Sequence, residues 1–179
     1  FNLGLAALCN KLPLNCLFID QNESFNWHPG MLLPGSRLQV PWYADLVALA
    51  DPCNDFIYMK FLQAKERMIR FAIAENYFIK RNHYNEYCRW VSGQLSSLQF
   101  GTTCTSIEKE NQFYRVRTNK ETYLTQKIVL GTGTMPFIPQ LNQKKNDNIF
   151  DKDHAVNHTL IFLQYFCKMF KSYLSHFIS

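Results

Sequence analysis

The first twenty residues constrain the chain most. Leu3, Leu5, Ala6, Ala7, Leu8 and Cys9 suit a short buried helix over residues 1–10, a break containing Pro13 follows, and Cys16-Leu17-Phe18-Ile19 is a continuous apolar run ending on Asp20. An apolar run of strand length without alternation is the pattern of a strand covered on both faces of a parallel sheet. Helix, short turn, buried strand and terminal acid form the second half of a βαβ unit. Its first strand and glycine loop are expected to precede Phe1, which is not Met, so the chain reads as part of something longer or as processed.

Composition narrows the class. With 179 residues, 47% hydrophobic, 15% aromatic and 18% charged, the chain buries a core, which excludes intrinsic disorder and collagen-like repeats. The net charge of +5 comes from scattered residues, the densest pair being Lys144-Lys145, so no nucleic-acid groove is expected. Six widely spaced cysteines without a C-x-x-C pair read as reduced core residues of a cytoplasmic protein rather than a disulfide framework or a zinc site. No secretion signal opens the chain, and the histidines at 28, 83, 154, 158 and 176 show no metal spacing.

Residues 21–52 carry Pro29, Gly30, Pro34, Gly35 and Pro41 and read as a long ordered loop, a length that usually serves a function. Short helices are expected over 57–63 and 68–74. The clearest helix is 81–95, with Tyr84, Tyr87, Cys88, Val91 and Leu95 on one face and Arg81, Asn85, Glu86 and Arg89 elsewhere. Strands are expected over 98–100, 103–107, 113–117 and 122–130. The last runs into Gly131-Thr132-Gly133-Thr134-Met135-Pro136, a tight exit at a carboxyl end, where α/β sheets place ligands. Residues 143–148 are polar. Residues 159–179 read as an amphipathic helical tail with Leu163, Phe166, Cys167, Phe170, Leu174 and Phe177 on one face; Lys168 and Lys171 argue against a bilayer span. A terminal helix capping the core, or a non-native tail, fits it better than a membrane-surface helix.

Two places draw attention as sites. Asp20 ends a strand where an acid accepts hydrogen bonds from an adenosine ribose, although a strand-ending Asp at a plain turn fits the spacing equally well. Trp27-His28-Pro29-Gly30-Met31 sets an aromatic plate, an imidazole and a flexible sulfur side by side. They either enclose a planar ring or plug the loop, and composition alone favours the plug. No catalytic triad or metal motif is visible.

Longer runs resemble a known family. Phe1-Asn2-Leu3, Phe18-Ile19-Asp20, Phe25-Asn26-Trp27-His28-Pro29-Gly30-Met31, Leu38-Gln39-Val40-Pro41, Asp45-Leu46-Val47, Asp51-Pro52, Tyr84-Asn85-Glu86-Tyr87-Cys88-Arg89-Trp90-Val91 and Val129-Leu130-Gly131-Thr132-Gly133 follow in the order found in the N-hydroxylating flavin monooxygenases. These are the lysine, ornithine and diamine N-monooxygenases of hydroxamate siderophore synthesis, and the resemblance covers about residues 1–157. It implies an α/β fold: a partial FAD-binding Rossmann-like domain of a two-dinucleotide-binding-domain flavoprotein, with a small β-rich segment. It also implies FAD reduced by NADPH, O2 as oxidant and a small primary amine as substrate, with no catalytic residue in this chain. Because an alkylammonium has a pKa of about 10.4 in water, such a pocket must disfavour the cation.

By matching motif, the resemblance places Asp20 and Gln21 at the FAD ribose, Trp27, His28 and Gln39 near the flavin, and Cys104 on the adenine side through its backbone. Ala44 stands where amino-acid hydroxylases of the family carry a Lys for the substrate, and the wording from Val40 to Leu46 is closer to the putrescine and cadaverine enzymes, so a diamine is expected. Pro52-Cys53-Asn54-Asp55 departs from the family's Pro-Thr-Ser-Pro. The NADPH-binding domain is expected beyond about residue 159, so the 179 residues alone are expected to lack hydride transfer. The alternatives are a non-catalytic remnant, and an interaction protein docking through its C-terminal helix.

Overall fold

The structure is a computed structural model that describes residues 2–132 and, as backbone, 160–165. The glycine exit beyond Thr132, the polar stretch 143–148, His154 and the tail beyond residue 165 lie outside the described residues. Helix α1 (Asn2–Cys9) leads into strand β1 (Asn15–Ile19). After the long loop come α2 (Tyr58–Ala64), α3 (Met68–Ile73) and α4 (Arg81–Ser92), then β2 (Leu98–Gln99), β3 (Cys104–Glu110), β4 (Phe113–Thr118), β5 (Thr122–Thr125), β6 (Lys127–Gly131) and β7 (Leu160–Tyr165). No helix among the described residues is long and apolar enough to cross a membrane.

The first sheet has the order β2-β1-β7-β6. Strand β1 pairs in parallel with β2, Phe18 opposite Leu98 and Ile19 opposite Gln99. Strand β7 lies antiparallel to both β1 and β6, so β2, β1 and β6 all run the same way. The helix expected over the start of the tail is therefore a strand at residues 160–165. Leu160-Ile161-Phe162-Leu163 is an unbroken apolar run that fits a strand covered on both faces as well as a helix, and pairing with two neighbours decides between them. The second sheet is an antiparallel meander, β3-β4-β5, with a bulge between Cys104 and Ser106.

The expected strand over 122–130 is two strands. β5 closes the meander and β6 joins the first sheet; at the corner the Thr125 hydroxyl donates to the Lys127 carbonyl at 2.9 Å. The run of β-formers hid this change of sheet, because a corner at Gln126 needs no glycine or proline.

The core is built where α1, the loop, α2 and α4 meet. Leu3, Ala6 and Ala7 of α1, Val47 of the loop, Phe61 of α2, and Tyr87, Cys88 and Val91 of α4 are buried. Gly4 permits this contact, because a Cβ there would sit 2.7 Å from the Leu46 carbonyl oxygen. Tyr58, Phe61, Tyr87 and Trp90 pack with ring centroids 5.4–5.8 Å apart, each such pair contributing about 0.5–1.5 kcal/mol beyond its buried area.

The loop has little regular structure, so side chains satisfy its backbone. The buried Tyr87 hydroxyl donates to the Phe56 carbonyl at 2.6 Å and accepts from the Leu46 N–H at 3.3 Å. Asp45 receives the Val47 and Ala48 N–H groups on Oδ1 and the Tyr58 N–H on Oδ2 at 2.6 Å, which also anchors the start of α2. Replacing Tyr87 by Phe strands both backbone groups, and urea unfolding of Tyr87→Phe is expected to show a loss of about 1–3 kcal/mol through a lower midpoint at unchanged m. A change below about 0.5 kcal/mol, the range of a neutral surface substitution, contradicts this account of the loop.

Candidate functional site

At the carboxyl end of β1, Asp20 is only 1% exposed. Its Oδ1 accepts from the Asn22 N–H and from Asn22 Nδ2, both at 2.8 Å, while Oδ2 makes no hydrogen bond among the described residues. The turn is fastened to the segment after β2: Asp20 N–H donates to Gln99 O, Thr102 N–H to Asp20 O and Gly101 N–H to Asn22 O. Gly101 has φ +60° and a Cβ there would come within 3.1 Å of the Glu23 carboxylate, so glycine is required. Gln21 follows on the surface. Cys104, at the start of β3, packs with Leu17 and Ile19 of β1, its thiol 3.7 Å from the Ser106 carbonyl and pushed up in pKa by burial. Asp20 at the end of β1 and Cys104 at the start of β3 thus stand on different sheets, the first sheet and the meander.

A second cluster lies a few residues on. The half-buried Trp27 ring makes edge contacts with His28 (centroids 5.0 Å) and Tyr84 (4.8 Å), and the Arg81 guanidinium lies 5.5 Å from its centroid, within range of a cation–π attraction. Asn85 sets this loop: its Oδ1 accepts the Trp27 N–H at 2.7 Å and its Nδ2 donates to Asn26 Oδ1 at 2.7 Å. His28 adopts left-handed dihedrals, φ 42° and ψ 60°, and its carbonyl accepts the Met31 N–H to open a 3-10 turn over Pro29–Met31. Gln39 is exposed and follows a segment zipped to the start of α4, with Leu38 N–H on Ile79 O and Arg81 N–H on Ser36 O.

The helical pattern placed Arg81 and Asn85 on the outer face of α4, yet Asn85 is buried and Arg81 covers Trp27. Both lie one turn apart at the helix start, on the side of Tyr84, and only the loop's return onto α4 gives them partners. Ala44 is half-buried and precedes the loop-anchoring Asp45, so no cation stands there. The departure at Pro52-Cys53-Asn54-Asp55 is absorbed as a turn: Asn54 Nδ2 donates to Asp51 Oδ2, Asn54 Oδ1 accepts the Phe56 N–H, and Lys11 reaches Asp55 at 2.5 Å.

Partial desolvation, and secondarily the Arg81 charge, lowers the His28 pKa below its ordinary 6.5 although the residue stays exposed. The unfolded state then takes up the proton first, and stability contributed by neutral His28 is present above pH 6.5 and lost as pH falls from there through the folded-state value. An NMR titration of His28 is expected to give a midpoint below 6.5 that rises in Arg81→Gln but remains depressed, because partial desolvation is the larger cause. A midpoint at or above 6.5 in the unsubstituted chain contradicts the packing.

Known proteins are similar to this chain in sequence and fold. The family model of L-lysine 6-monooxygenase/L-ornithine 5-monooxygenase matches residues 1–161. A putrescine N-hydroxylase of Shewanella oneidensis is 45% identical over 173 residues, 92% of this chain and 33% of that protein. The L-lysine N6-monooxygenase of Escherichia coli is 33% identical over 142 residues, 78% of this chain and 33% of that protein. Among solved structures, the FAD-bound cadaverine monooxygenase DfoA of Erwinia amylovora, from the desferrioxamine biosynthetic pathway, superposes with a TM-score of 0.77 at 37% identity, over 82% of this chain and 36% of that one. The chain spans about a third of the length of the curated relatives it matches. The match over residues 1–161 settles its kinship: the chain belongs to the L-lysine 6-monooxygenase/L-ornithine 5-monooxygenase family.

Proposed function

We propose that this chain is the FAD-binding part of an FAD- and NADPH-dependent amine N-hydroxylase of hydroxamate siderophore synthesis, acting on a diamine. The single observation that carries this reading is the pairing of the two clusters along one loop: a strand-ending Asp20 with an open carboxylate oxygen, then Trp27 flanked by His28, Tyr84 and Arg81. The residues present fit FAD at both ends. Asp20 Oδ2 is free to accept from a ribose hydroxyl, with Gln21 and the Cys104 backbone alongside, and the Trp27 cluster with Gln39 offers an aromatic and polar wall to a planar ring.

Bound FAD supplies the electrons that pass from NADPH to O2. The chain's own residues orient and shield. Asn85 fixes the loop through the Trp27 N–H and the Asn26 side chain, Tyr84 and Trp27 exclude water, and Arg81 places a positive charge that lowers the pKa of the exposed, partly desolvated His28. A positive environment disfavours an ammonium nearby, which suits a reaction that needs the free amine. Ala44 leaves a substrate carboxylate without a cationic partner, which favours putrescine or cadaverine over ornithine or lysine.

One observation favours a second reading, a family chain that keeps part of the fold without turnover. Strand β7 runs antiparallel between the parallel β1 and β6, an interior position that α/β sheets normally give to a parallel strand.

Titrating the purified chain with FAD is expected to give a bound, red-shifted flavin spectrum that NADPH leaves oxidised, and Trp27→Ala is expected to weaken binding about tenfold or more. An unchanged affinity in Trp27→Ala contradicts the assignment of the ring wall. In the amine hydroxylase that carries this segment, hydroxylamine formation is expected with putrescine or cadaverine ahead of ornithine and lysine. There Ala44→Lys is expected to raise kcat/KM for ornithine relative to putrescine by about tenfold, the worth of one charge-assisted contact. Preference for the amino acids without that substitution contradicts the diamine reading.

A further inference from the structure

Strands β1, β2 and β6 run one way, and β7 runs against them from the interior of their sheet. Asn15 to Ile19 of β1 face Tyr165 to Ile161, and Lys127 to Gly131 of β6 face Gln164 to Leu160, so residues 160–165 fill a slot whose two walls are parallel to each other. The placement of α1 shows which direction the slot suits. Its first turn lies at the carboxyl end of β6, where a Cβ on Gly131 would collide with the buried Asn2 side chain, and its last residue, Cys9, leads back to the amino end of β1. A helix returning from the carboxyl edge of a sheet to the amino end of a strand has the path of a βαβ crossover, which joins two parallel strands of one sheet. One flank of β1 is taken by β2, which leaves the place of β7 for the other strand of that unit. A strand running parallel there would end beside Asn2, a tight turn away from α1; β7 instead begins at that edge, with Leu160 opposite Gly131.

We propose that the slot between β1 and β6 accepts an apolar strand joined by a glycine turn to the front of α1, and that residues 160–165 are an exchangeable occupant of it. The walls, Cys16-Leu17-Phe18-Ile19 and Ile128-Val129-Leu130, need hydrogen bonds from whatever lies between them, and an interior position covered on both faces selects an apolar run. Leu160-Ile161-Phe162-Leu163 meets both needs in the opposite direction. A strand tethered to α1 competes at an effective concentration on the order of millimolar, so it is supplied within the chain rather than as a free peptide. The inference does not depend on the proposed hydroxylase function, and neither FAD nor NADPH enters its test, so its failure leaves that reading untouched.

The test is amide hydrogen exchange, read by mass spectrometry, on the complete 179-residue chain and on the same chain extended ahead of Phe1 by about six Val and Ile residues, the usual strand length, and a Gly-Ser-Gly turn. Without the extension, protection is expected over 15–19, 127–131 and 160–165. With it, 160–165 is expected to exchange at least about tenfold faster while 15–19 and 127–131 stay protected. An extension of Lys and Pro is expected to leave 160–165 protected. A second variant, Phe162→Pro, acts on the occupant alone, since proline removes an N–H from an interior strand that pairs on both sides. In it 15–19, 127–131 and 160–165 are expected to lose protection together while β3 and β4 keep theirs, and the apolar extension is expected to restore the two walls. Lack of protection at 160–165 in the unextended chain, protection there that survives the apolar extension, an extended chain that fails to fold, or walls that stay protected in Phe162→Pro overturns the proposal. Loss of protection in β3 and β4 of Phe162→Pro also overturns it, because residues 160–165 would then be integral to the fold and not exchangeable.

Discussion

The long loop between β1 and α2 keeps its shape because α4 supplies hydrogen bonds that the loop cannot make for itself. A segment without a ladder or helix must satisfy its backbone groups elsewhere, at a cost of about 1–3 kcal/mol for each one left buried and unpaired. Here Asn85 takes the Trp27 N–H, Tyr87 bridges the Phe56 carbonyl and the Leu46 N–H, and Asp45 takes three further N–H groups. Asn85 and Tyr87 of α4, together with the loop's own Asp45, therefore hold the backbone of the segment that carries Trp27 and His28. The same helix inserts Tyr87, Cys88 and Val91 into the core, so the geometry of the site and the stability of the domain rest on one element.

This coupling explains which parts of the chain were legible from sequence. Elements whose apolar pattern reports burial came through within a residue or two, Asn2–Cys9, Asn15–Ile19, Tyr58–Ala64 and Met68–Ile73, and the helix expected over 81–95 ends three residues earlier, as Arg81–Ser92. The stretch from Trp27 to Met31 stood out as a motif, although its residues alone fit a hydrophobic plug as well as a ring wall. What stayed hidden depends on the return of one segment onto another. Asn85 is polar and buried, which a hydrophobic pattern scores as a surface residue, and its partners lie 58 and 59 residues away. The corner at Gln126 and the strand at Leu160–Tyr165 were misread for the same reason: neighbours in space, not local propensity, decide them.

Electrostatics divide the surface along the start of α4. Arg81 lies on the Trp27 ring, whereas Lys80, one residue earlier, is exposed. The strand-like pairing of residues 36–38 with 79–81 underlies both positions, with Arg37 and Lys80 forming an isolated β-bridge. Arg67, at the start of the neighbouring helix α3, is paired with Glu86.

The most direct test of the central claim, that the loop carried by α4 forms the wall of a flavin site, is a map of backbone and indole N–H resonances of the isotope-labelled chain during addition of FAD. The account predicts that shifts gather at Asp20 and Gln21, at the indole of Trp27 and at Gln39, with Asn85 responding through its hydrogen bond. Shifts confined to residues remote from this loop, or spread evenly with Trp27 unmoved, would contradict it.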